Sequence, residues 1–284
     1  MKQQVQPGTL FVVATPLGNL EDTSARALST LQAVDIVACE DTRHTRKLLS
    51  HFEISTKTLS YHDHNARERC GKLVTLLQQG HSIALVSDAG TPGVSDPAYR
   101  LVRECHLKKL RVVPIPGPSA ATAAVSVCGL PSNMFLFVGF LPRKIGPRKS
   151  KLVSLSKLAC TLIFFLPPHR LSVQLAEIEK AFGDRPAFLA REMTKIHESF
   201  SGGTVREIQS AIEDAPLKGE CTLIVTGAVN SDASSQSKVD VAAYVAGLQR
   251  LRGLSRSEAI RQTAVDLQKP KNAVYRAIVD RNRA

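Results

Sequence analysis

Residues 82–93 read SIALVSDAGTPG, a run of apolar residues that leads into a turn of glycine, proline and small polar residues. An apolar run without alternation is typical of a short strand that is buried on both faces. Glycine lets the backbone approach a ligand closely, and proline presets a turn. We therefore interpret this stretch as a buried strand whose carboxyl end leads into a ligand-binding loop.

The same design occurs twice more, in Thr9–Asn19 (TLFVVATPLGN) and in Arg111–Ala120 (RVVPIPGPSA). Segments with helical spacing of apolar residues, such as Cys70–Gln79 and Asp96–Cys105, separate these strands. Strands that alternate with helices predict a mostly parallel sheet, and ligands of such sheets bind beyond the carboxyl ends of the strands. Three such loops in one half of the chain favour a ligand site over three ordinary turns.

The alternation of strands and helices restarts after Pro131, with predicted strands at Phe135–Phe140 and Thr161–Phe165. We therefore predict an α/β fold of two α/β domains with a ligand cleft between them, followed by a small helical module. We expect the core of that module to include Ala259, Ile260, Val265 and Leu267. The predicted domains are residues 1–130 with the ligand loops, residues 131–229, a serine-rich linker at residues 230–238, and the basic helical module at residues 239–284.

The composition narrows the class of protein. The 284 residues include 37 Lys and Arg against 25 Asp and Glu, a formal net charge of +12, and 43% of them are hydrophobic. This hydrophobic fraction excludes wholesale disorder, and no apolar run reaches the roughly 18 residues of a membrane span. Residues 1–8 lack the apolar core of a signal peptide, so we expect a cytoplasmic protein. The positive charge favours a polyanionic partner such as nucleic acid, although such charge can also serve solubility alone.

Absent motifs exclude several kinds of site. The sequence has neither G-x-G-x-x-G nor G-x-x-x-x-G-K-[ST], so it predicts neither a dinucleotide site nor a P-loop. It has no G-x-S-x-G, so covalent acyl transfer is not supported. None of the six cysteines forms a C-x-x-C pair, and the His62-Asp63-His64 run has no identifiable third ligand, so we predict no metal site.

Two polar clusters follow predicted strands and supply candidate general bases. They are EDTRH at residues 40–44 and YHDHN at residues 61–65. From these clusters we select Asp41, His62 and Asp63, because His and carboxylates are the usual proton acceptors in enzymes. The alternative for Asp41 and Arg43 is a helix cap and a surface charge pair.

Six motifs in this order resemble the ribosomal RNA small subunit methyltransferase I family, which is similar in fold to the tetrapyrrole (corrin/porphyrin) methylases. The motifs are PLGNL at 16–20, EDTRHT at 40–45, HDHN at 62–65, SDAGTP at 87–92, PGPSA at 116–120 and GFLP at 139–142. The resemblance covers about residues 8–228 and extends to a similar helical C-terminal module. It implies an enzyme that uses S-adenosylmethionine to methylate the 2′-hydroxyl of a cytidine ribose in the decoding region of small-subunit ribosomal RNA.

The resemblance also implies where the cofactor and the partners bind. It places S-adenosylmethionine in the cleft between the two α/β domains and implies a homodimer. The cofactor contacts implied by motif are Pro16, Gly18, Asp88, Gly90, Val94, Ser119, Ala120, Phe165 and Ala190. The sequence departs from the family pattern at one point near this site. The family usually carries Glu-Ser before its His-Arg pair, whereas this chain has Leu166-Pro167-Pro168 there and so lacks that carboxylate.

Two alternative functions remain open at this stage. One is a tetrapyrrole C-methyltransferase on the same fold, against which the net charge and the basic helical tail argue. The other is a non-enzymatic RNA-binding protein with a vestigial cleft, against which the full set of cofactor loops argues.

Positive charge concentrates in two stretches that we predict to contact RNA phosphates. Residues 143–157 hold six basic residues and no acidic one, and residues 239–284 hold nine basic against four acidic residues. A basic helical face suits phosphate contacts, which position RNA without reading its sequence. The predicted RNA-binding residues are Arg43, Arg143, Lys144, Arg148, Lys149, Arg256, Lys269, Lys271 and Arg276.

Overall fold

The computed structural model describes residues 5–212, 219–228, 241–267 and 270–281. The predicted linker at residues 230–238 and Lys269 lie outside these described residues. Contacts divide the chain into two compact units, Met1–Ala228 and Val229–Ala284.

The first sheet of the larger unit is parallel, as the alternation of strands and helices predicts. Its order is β3-β2-β4-β1-β5, and all its pairings are parallel. The strands are β1 (Thr9–Val13), β2 (Ile36–Cys39), β3 (Lys57–Ser60), β4 (Ile83–Val86) and β5 (Arg111–Ile115). The accompanying helices are α1 (Ala25–Ala33), α2 (Thr42–His51), α3 (Ala66–Gln78), α4 (Ala98–Leu107) and α5 (Ala120–Val127).

Helices cover this sheet on both faces, which explains its unbroken apolar strands. All four residues of β4 are buried. Because successive strand residues point to opposite faces, Leu10 packs with Leu73 on one side of the sheet and Phe11 packs with Leu31 on the other. Full burial of each such side chain contributes about 1.5–3 kcal/mol to folding.

The second sheet is mixed rather than parallel. Its order is β6-β7-β10-β8-β9, in which β6 and β7 pair in parallel and the other pairs are antiparallel. Its strands are β6 (Phe135–Phe140), β7 (Thr161–Leu166), β8 (Pro186–Arg191), β9 (Ser199–Thr204) and β10 (Cys221–Val225). Its helices are α6 (Ile145–Leu155), α7 (Leu171–Phe182) and α8 (Val205–Ile212).

Helix α5 joins the two sheets. Ala121 and Ala124 of this helix are buried against Ile163, Phe188 and Ile224 of the second sheet. Small side chains on the helix let it lie close to these larger ones. The loops that follow β4 and β5 therefore face the second sheet across a cleft. The predicted domain boundary near residue 131 falls between α5 and β6.

The smaller unit contains three helices among its described residues: α9 (Val241–Arg252), α10 (Arg256–Asp266) and α11 (Lys271–Arg281). Ser255 and Glu258 form a capping box at the start of α10. The core includes Ala259 and Ile260, as predicted, but the prediction for Val265 is wrong, because its side chain is 68% exposed. The other buried core residues are Val241, Val245, Leu248, Val274 and Ile278.

Candidate active site

Hydrogen bonds fasten the three predicted ligand loops to one another beyond the carboxyl ends of their strands. The backbones of Thr15 and Gly90 exchange two hydrogen bonds, of 2.9 and 3.0 Å. The Thr15 hydroxyl also donates to the carbonyl oxygen of Ser87 at 3.1 Å. The Thr91 hydroxyl donates to the carbonyl oxygen of Pro118 at 2.9 Å. These contacts hold the loops after β1, β4 and β5 as one rigid wall.

A cavity of about 490 Å³ lies between this wall and the second sheet. Its volume is within the range of roughly 300–1,000 Å³ that small-molecule sites occupy. Of the predicted cofactor contacts, six line it: Asp88, Gly90, Val94, Ser119, Ala120 and Phe165. Lining residues that the sequence analysis did not select include Glu40, Thr91, Ser95, Asp96, Phe140, Glu220 and Thr222.

The backbone conformation at position 90 explains why the loop after β4 carries a glycine there. Its φ is +82°, a backbone conformation that side chains with a Cβ rarely adopt. A Cβ at this position would lie 3.3 Å from Cδ2 of Leu17 and 3.7 Å from the carbonyl oxygen of Pro118. The loop backbone therefore lines the cavity at a point where a side chain would crowd it.

The remaining three predicted cofactor contacts do not line this cavity. Pro16 is buried within the wall. Ala190 is fully buried in β8, where it pairs with the cavity residue Thr222. Gly18 lies beside Lys195, since a Cβ on Gly18 would lie 2.3 Å from Cγ of that lysine. Pro16 and Ala190 can thus shape the cavity only through their neighbours.

Gly18 and Lys195 belong to a contact between the two halves of the larger unit. The backbone N–H of Asn19 donates to the Thr194 hydroxyl at 3.2 Å. The Lys195 ammonium pairs with Glu192 at 2.9 Å and with the cavity residue Glu220 at 3.4 Å. Here lies a second, open cavity of about 640 Å³, lined in part by Gly18, Asn19, Thr194 and Lys195. Glu192, Ile196 and His197 complete the side of this cavity that the second half of the unit provides.

Carboxylates dominate the electrostatics of the first cavity, whose lining includes Glu40, Asp88, Asp96 and Glu220. Burial raises the pKa of Glu40, and the charges of Asp88, Asp96 and Asp63 raise it further. Burial also raises the pKa of Asp96, against two backbone hydrogen bonds that lower it. A cavity of this kind favours a ligand that carries positive charge. Leu166 and Pro167, which replace the expected carboxylate motif, also line it.

The contacts of Asp41 are the helix cap and the surface pair that the sequence left open as the alternative to catalysis. Its Oδ1 accepts a hydrogen bond from the backbone N–H of Arg43 at 2.7 Å and caps α2, while its Oδ2 pairs with the Arg43 guanidinium at 2.8 Å. These hydrogen bonds from Arg43 hold the pKa of Asp41 well below its usual value. Asp41 is therefore a weak base outside the cavity lining, and the cap and surface pair explain it better than catalysis does.

His62 and Asp63 lie near the cavity but do not line it. Nε2 of His62 is 3.2 Å from Nδ2 of Asn65, whose Oδ1 accepts the His62 backbone N–H at 2.9 Å. With the Asn65 amide in this orientation, Nε2 is the acceptor, so the imidazole nitrogen that could take a proton is occupied. Asp63 is exposed, and its charge acts on Glu40 and Asp96.

Most of the predicted RNA-binding residues are exposed, with one exception. The side chain of Arg43 is 85% exposed, and Arg143, Lys144 and Lys149 are exposed beside or within α6. Arg148 is buried, with only 5% exposed, and pairs with Glu177 of α7 through two hydrogen bonds. We therefore withdraw Arg148 from the predicted RNA contacts.

The smaller unit presents its own basic residues. Arg256, Lys271 and Arg276 are exposed at α10 and α11. Lys269 lies outside the described residues.

Comparisons with known proteins identify the family. The model of the tetrapyrrole (corrin/porphyrin) methylases matches residues 9–209. A relative named ribosomal RNA small subunit methyltransferase I, from Synechocystis sp., is 44% identical over 94% of this chain and 96% of its own length. A relative of the same name from Mesorhizobium japonicum is 46% identical over 95% of this chain and 91% of its own length. Another from Vibrio cholerae is 44% identical over 94% of this chain and 93% of its own length.

The chain belongs to the ribosomal RNA small subunit methyltransferase I family, within the tetrapyrrole methylases. Methyltransferases of this family use S-adenosylmethionine as the methyl donor, as the sequence resemblance implied.

Two solved structures share the fold. Uroporphyrin-III-C-methyltransferase from Thermus thermophilus has a TM-score of 0.56 at 19% identity, over 80% of this chain and 98% of its own. Diphthine synthase has a TM-score of 0.59 at 16% identity, over 77% of this chain and 90% of its own. At these identities the likeness concerns the fold alone.

No helix among the described residues is both long enough and apolar enough to cross a membrane. Nor does any group of three or more His, Cys, Asp or Glu in that part of the chain have an arrangement that could hold a metal ion.

Proposed function

We propose that this chain transfers the methyl group of S-adenosylmethionine to the 2′-hydroxyl of a cytidine ribose in the decoding region of small-subunit ribosomal RNA. The family supports methyl transfer to this RNA. The observation that carries the proposal is the acidic cavity between the two sheets, where the predicted cofactor loops converge. We also propose that the protein acts in the cytoplasm, because its substrate would be ribosomal RNA.

The residues of the cavity fit S-adenosylmethionine. This donor carries a sulfonium and an α-ammonium, and the carboxylates of the lining complement both charges. The backbone at Gly90 gives room for close approach. We assign Asp88, Gly90, Val94, Ser119, Ala120 and Phe165 to direct contact with the donor, and Pro16, Gly18 and Ala190 to support of the wall. When bound, the donor supplies an electrophilic methyl group.

The protein has to supply position and a proton acceptor. A rigid wall of hydrogen-bonded loops can hold two reactants in line, and such positioning can lower a barrier by about 7–11 kcal/mol in ideal cases. The ribose hydroxyl becomes a good nucleophile only as it loses its proton. A well-placed base contributes about 10²–10⁴-fold to the rate.

The exposed basic residues of both units support binding of RNA. Arg143, Lys144 and Lys149 border α6, and Lys271 and Arg276 lie on α11. Each phosphate contact should contribute about −0.7 to −0.9 to the slope of log affinity against log salt. Charge reversal of Lys271 and Arg276 together should weaken binding of small ribosomal subunits and flatten that slope by almost two. Affinities that overlay the wild type across the salt series would remove α11 from the RNA interface.

We further propose a homodimer built on the edge strand β6. Several apolar side chains at this strand are exposed: Met134 by 58%, Phe135 by 43% and Leu136 by 39%. A monomer rarely leaves such a row of apolar side chains at a sheet edge in water. Sedimentation equilibrium of the wild type should give twice the chain mass, and Phe135→Glu should shift the equilibrium to the monomer. A monomeric wild type would contradict this proposal.

Labelled S-adenosylmethionine tests the main proposal. We would incubate the protein with small ribosomal subunits that lack the modification, digest the RNA and identify the labelled nucleoside by mass spectrometry. We expect label in 2′-O-methylcytidine and none in uroporphyrinogen III supplied in a parallel reaction. Label on a base, or on uroporphyrinogen alone, would contradict the proposal.

A further inference from the structure

Glu40 follows β2 directly, at the carboxyl edge of the first sheet, and lines the cavity. Glu40 precedes Asp41 in the chain, but the two side chains lie in different surroundings. Asp41 turns away to cap α2, and its backbone N–H donates to Oδ1 of Asp88 at 3.0 Å. This hydrogen bond fixes the backbone at residues 40–41 against the loop after β4. The position of Glu40 at the cavity is therefore set by the fold.

We infer that Glu40 is the proton acceptor for the hydroxyl that is methylated. The inference rests on the proposed function and names the catalytic residue of that same site. As the ribose oxygen forms its bond to the methyl carbon, its proton passes to the Glu40 carboxylate. The carbon–sulfur bond breaks at the same time, and its electron pair stays on sulfur to give S-adenosylhomocysteine. Glu40, which is exposed on one side, then returns the proton to water.

Several other carboxylates near the cavity have hydrogen-bond or ion-pair partners, and Oδ1 of Asp88 accepts the backbone N–H of Asp41. Both oxygens of Asp41 bind Arg43. Oδ1 of Asp96 accepts two backbone N–H groups, from Gly93 and Ala98, each at 2.8 Å. Glu220 pairs with Lys195. Within the described part of the chain, neither a hydrogen bond nor an ion pair engages the Glu40 carboxylate, so it is free to accept a proton from a bound hydroxyl.

The surroundings of Glu40 strengthen it as a base. Its burial and the three neighbouring carboxylates Asp88, Asp96 and Asp63 raise its pKa, while His62 opposes them. A carboxylate with a raised pKa holds a proton more firmly than a glutamate of ordinary pKa, and proton transfer to it is correspondingly more favourable. Its ionised form is the active one, so the rate should rise with pH as Glu40 loses its proton.

The test compares Glu40→Gln with Asp41→Asn, and uses Glu68→Gln as a matched control on the exposed face of α3. We expect kcat for methyl transfer to fall by about 10²–10⁴-fold in Glu40→Gln. The other two variants should stay within about tenfold of the wild type, which is smaller than the 10²–10⁴-fold loss expected for a lost base. The rise of the wild-type rate with pH should be absent from the residual activity of Glu40→Gln.

Two measurements without turnover accompany the kinetics. Calorimetric titration with S-adenosylmethionine should give Glu40→Gln an affinity close to that of the wild type. A carbon-13 titration of the glutamate carboxyl groups should show one signal with a raised pKa that disappears in Glu40→Gln. If the variant loses cofactor affinity in proportion to its rate, Glu40 binds the donor and the inference fails.

The inference and the proposed function fail in different ways. A wild type that does not methylate ribosomal RNA would overturn the function. An active wild type with an equally active Glu40→Gln would leave the function intact and overturn only the role of Glu40. Loss of activity in Asp41→Asn with retention in Glu40→Gln would return the role to Asp41.

Discussion

Replacement of Arg148 by alanine tests whether this residue holds the fold together or contacts RNA. Its guanidinium donates two hydrogen bonds to Glu177 and two more to the carbonyl oxygens of Pro142 at 3.1 Å and Arg143 at 2.8 Å. The variant leaves a largely buried carboxylate without its partner, which costs about 3–5 kcal/mol. With a urea slope of roughly 2–3 kcal/mol/M for a unit of this size, the unfolding midpoint should fall by about 1–2.5 M.

Lys149→Ala is the matched control for this prediction, because Lys149 is the next residue of α6 and is exposed. Its unfolding midpoint should equal that of the wild type, while the salt slope of subunit binding flattens by about 0.7–0.9. If Arg148→Ala unfolds at the wild-type urea concentration and flattens the salt slope instead, the guanidinium contacts RNA and the structural interpretation is refuted.

The pH dependence gives a second check on the same pair. The hydrogen bond from Arg148 lowers the pKa of Glu177 below its usual value. A carboxylate with a lowered pKa stabilises the fold above its unfolded-state pKa, and this contribution is lost as the pH falls through the folded-state pKa. The wild type should therefore lose part of its advantage over Arg148→Ala below about pH 4, where glutamate begins to protonate.

Three further predictions concern other parts of the chain. Gly90→Ala should weaken S-adenosylmethionine binding, measured by calorimetry, at least tenfold more than Gly93→Ala. Both positions have a positive φ, but a Cβ at Gly93 meets nothing within 4 Å. Equal losses of affinity in the two variants would assign the effect to backbone strain. Gly18→Ala should displace Lys195 and lower the melting temperature by about 2–4 °C for each kcal/mol of unfolding free energy that is lost. An unchanged melting curve would show that the lysine side chain can move aside without cost. Ser255→Ala should destabilise α10 by about 1 kcal/mol, seen as an earlier loss of helical circular dichroism, and an unshifted transition would show that the capping box contributes nothing.

The sequence predicted the strands of the first sheet well because their signal is local. The runs that open the stretches SIALVSDAGTPG and RVVPIPGPSA form β4 (Ile83–Val86) and β5 (Arg111–Ile115), since unbroken apolar runs with turn residues after them have few alternative structures. Helix α2 was missed because its segment, TRHTRKLLSH, is mostly polar and starts inside a motif that the sequence presents as a catalytic loop. Strand β9 was missed because SFSGGT has two glycines and little β propensity.

The candidate site was predictable at the level of loops and not at the level of single side chains. The loops that carry Asp88, Gly90 and Ser119 follow from glycine and proline placement at strand ends, which is a local property, whereas the selection of these three residues came from the family resemblance. The choice between Glu40 and Asp41 depends on which of two adjacent carboxylates caps a helix. That choice is made by Arg43 and by the backbone at Thr42, where α2 begins. A prediction of α2 from the sequence would have assigned Asp41 as its N-cap and left Glu40 as the carboxylate at the cavity.

Charge separation within the chain ties these features together. The chain has a net charge of +12, which under the proposed function would attract RNA to the exposed basic residues, while the cavity concentrates carboxylates. Two unit charges 4 Å apart interact by about 4 kcal/mol at an effective dielectric constant of 20. An acidic cavity therefore prefers a sulfonium donor over the neutral thioether product and favours exchange of product for fresh donor after each turnover. It also repels phosphate, so under the proposed function the basic surfaces, rather than the cavity, would hold the RNA backbone while a single ribose reaches Glu40.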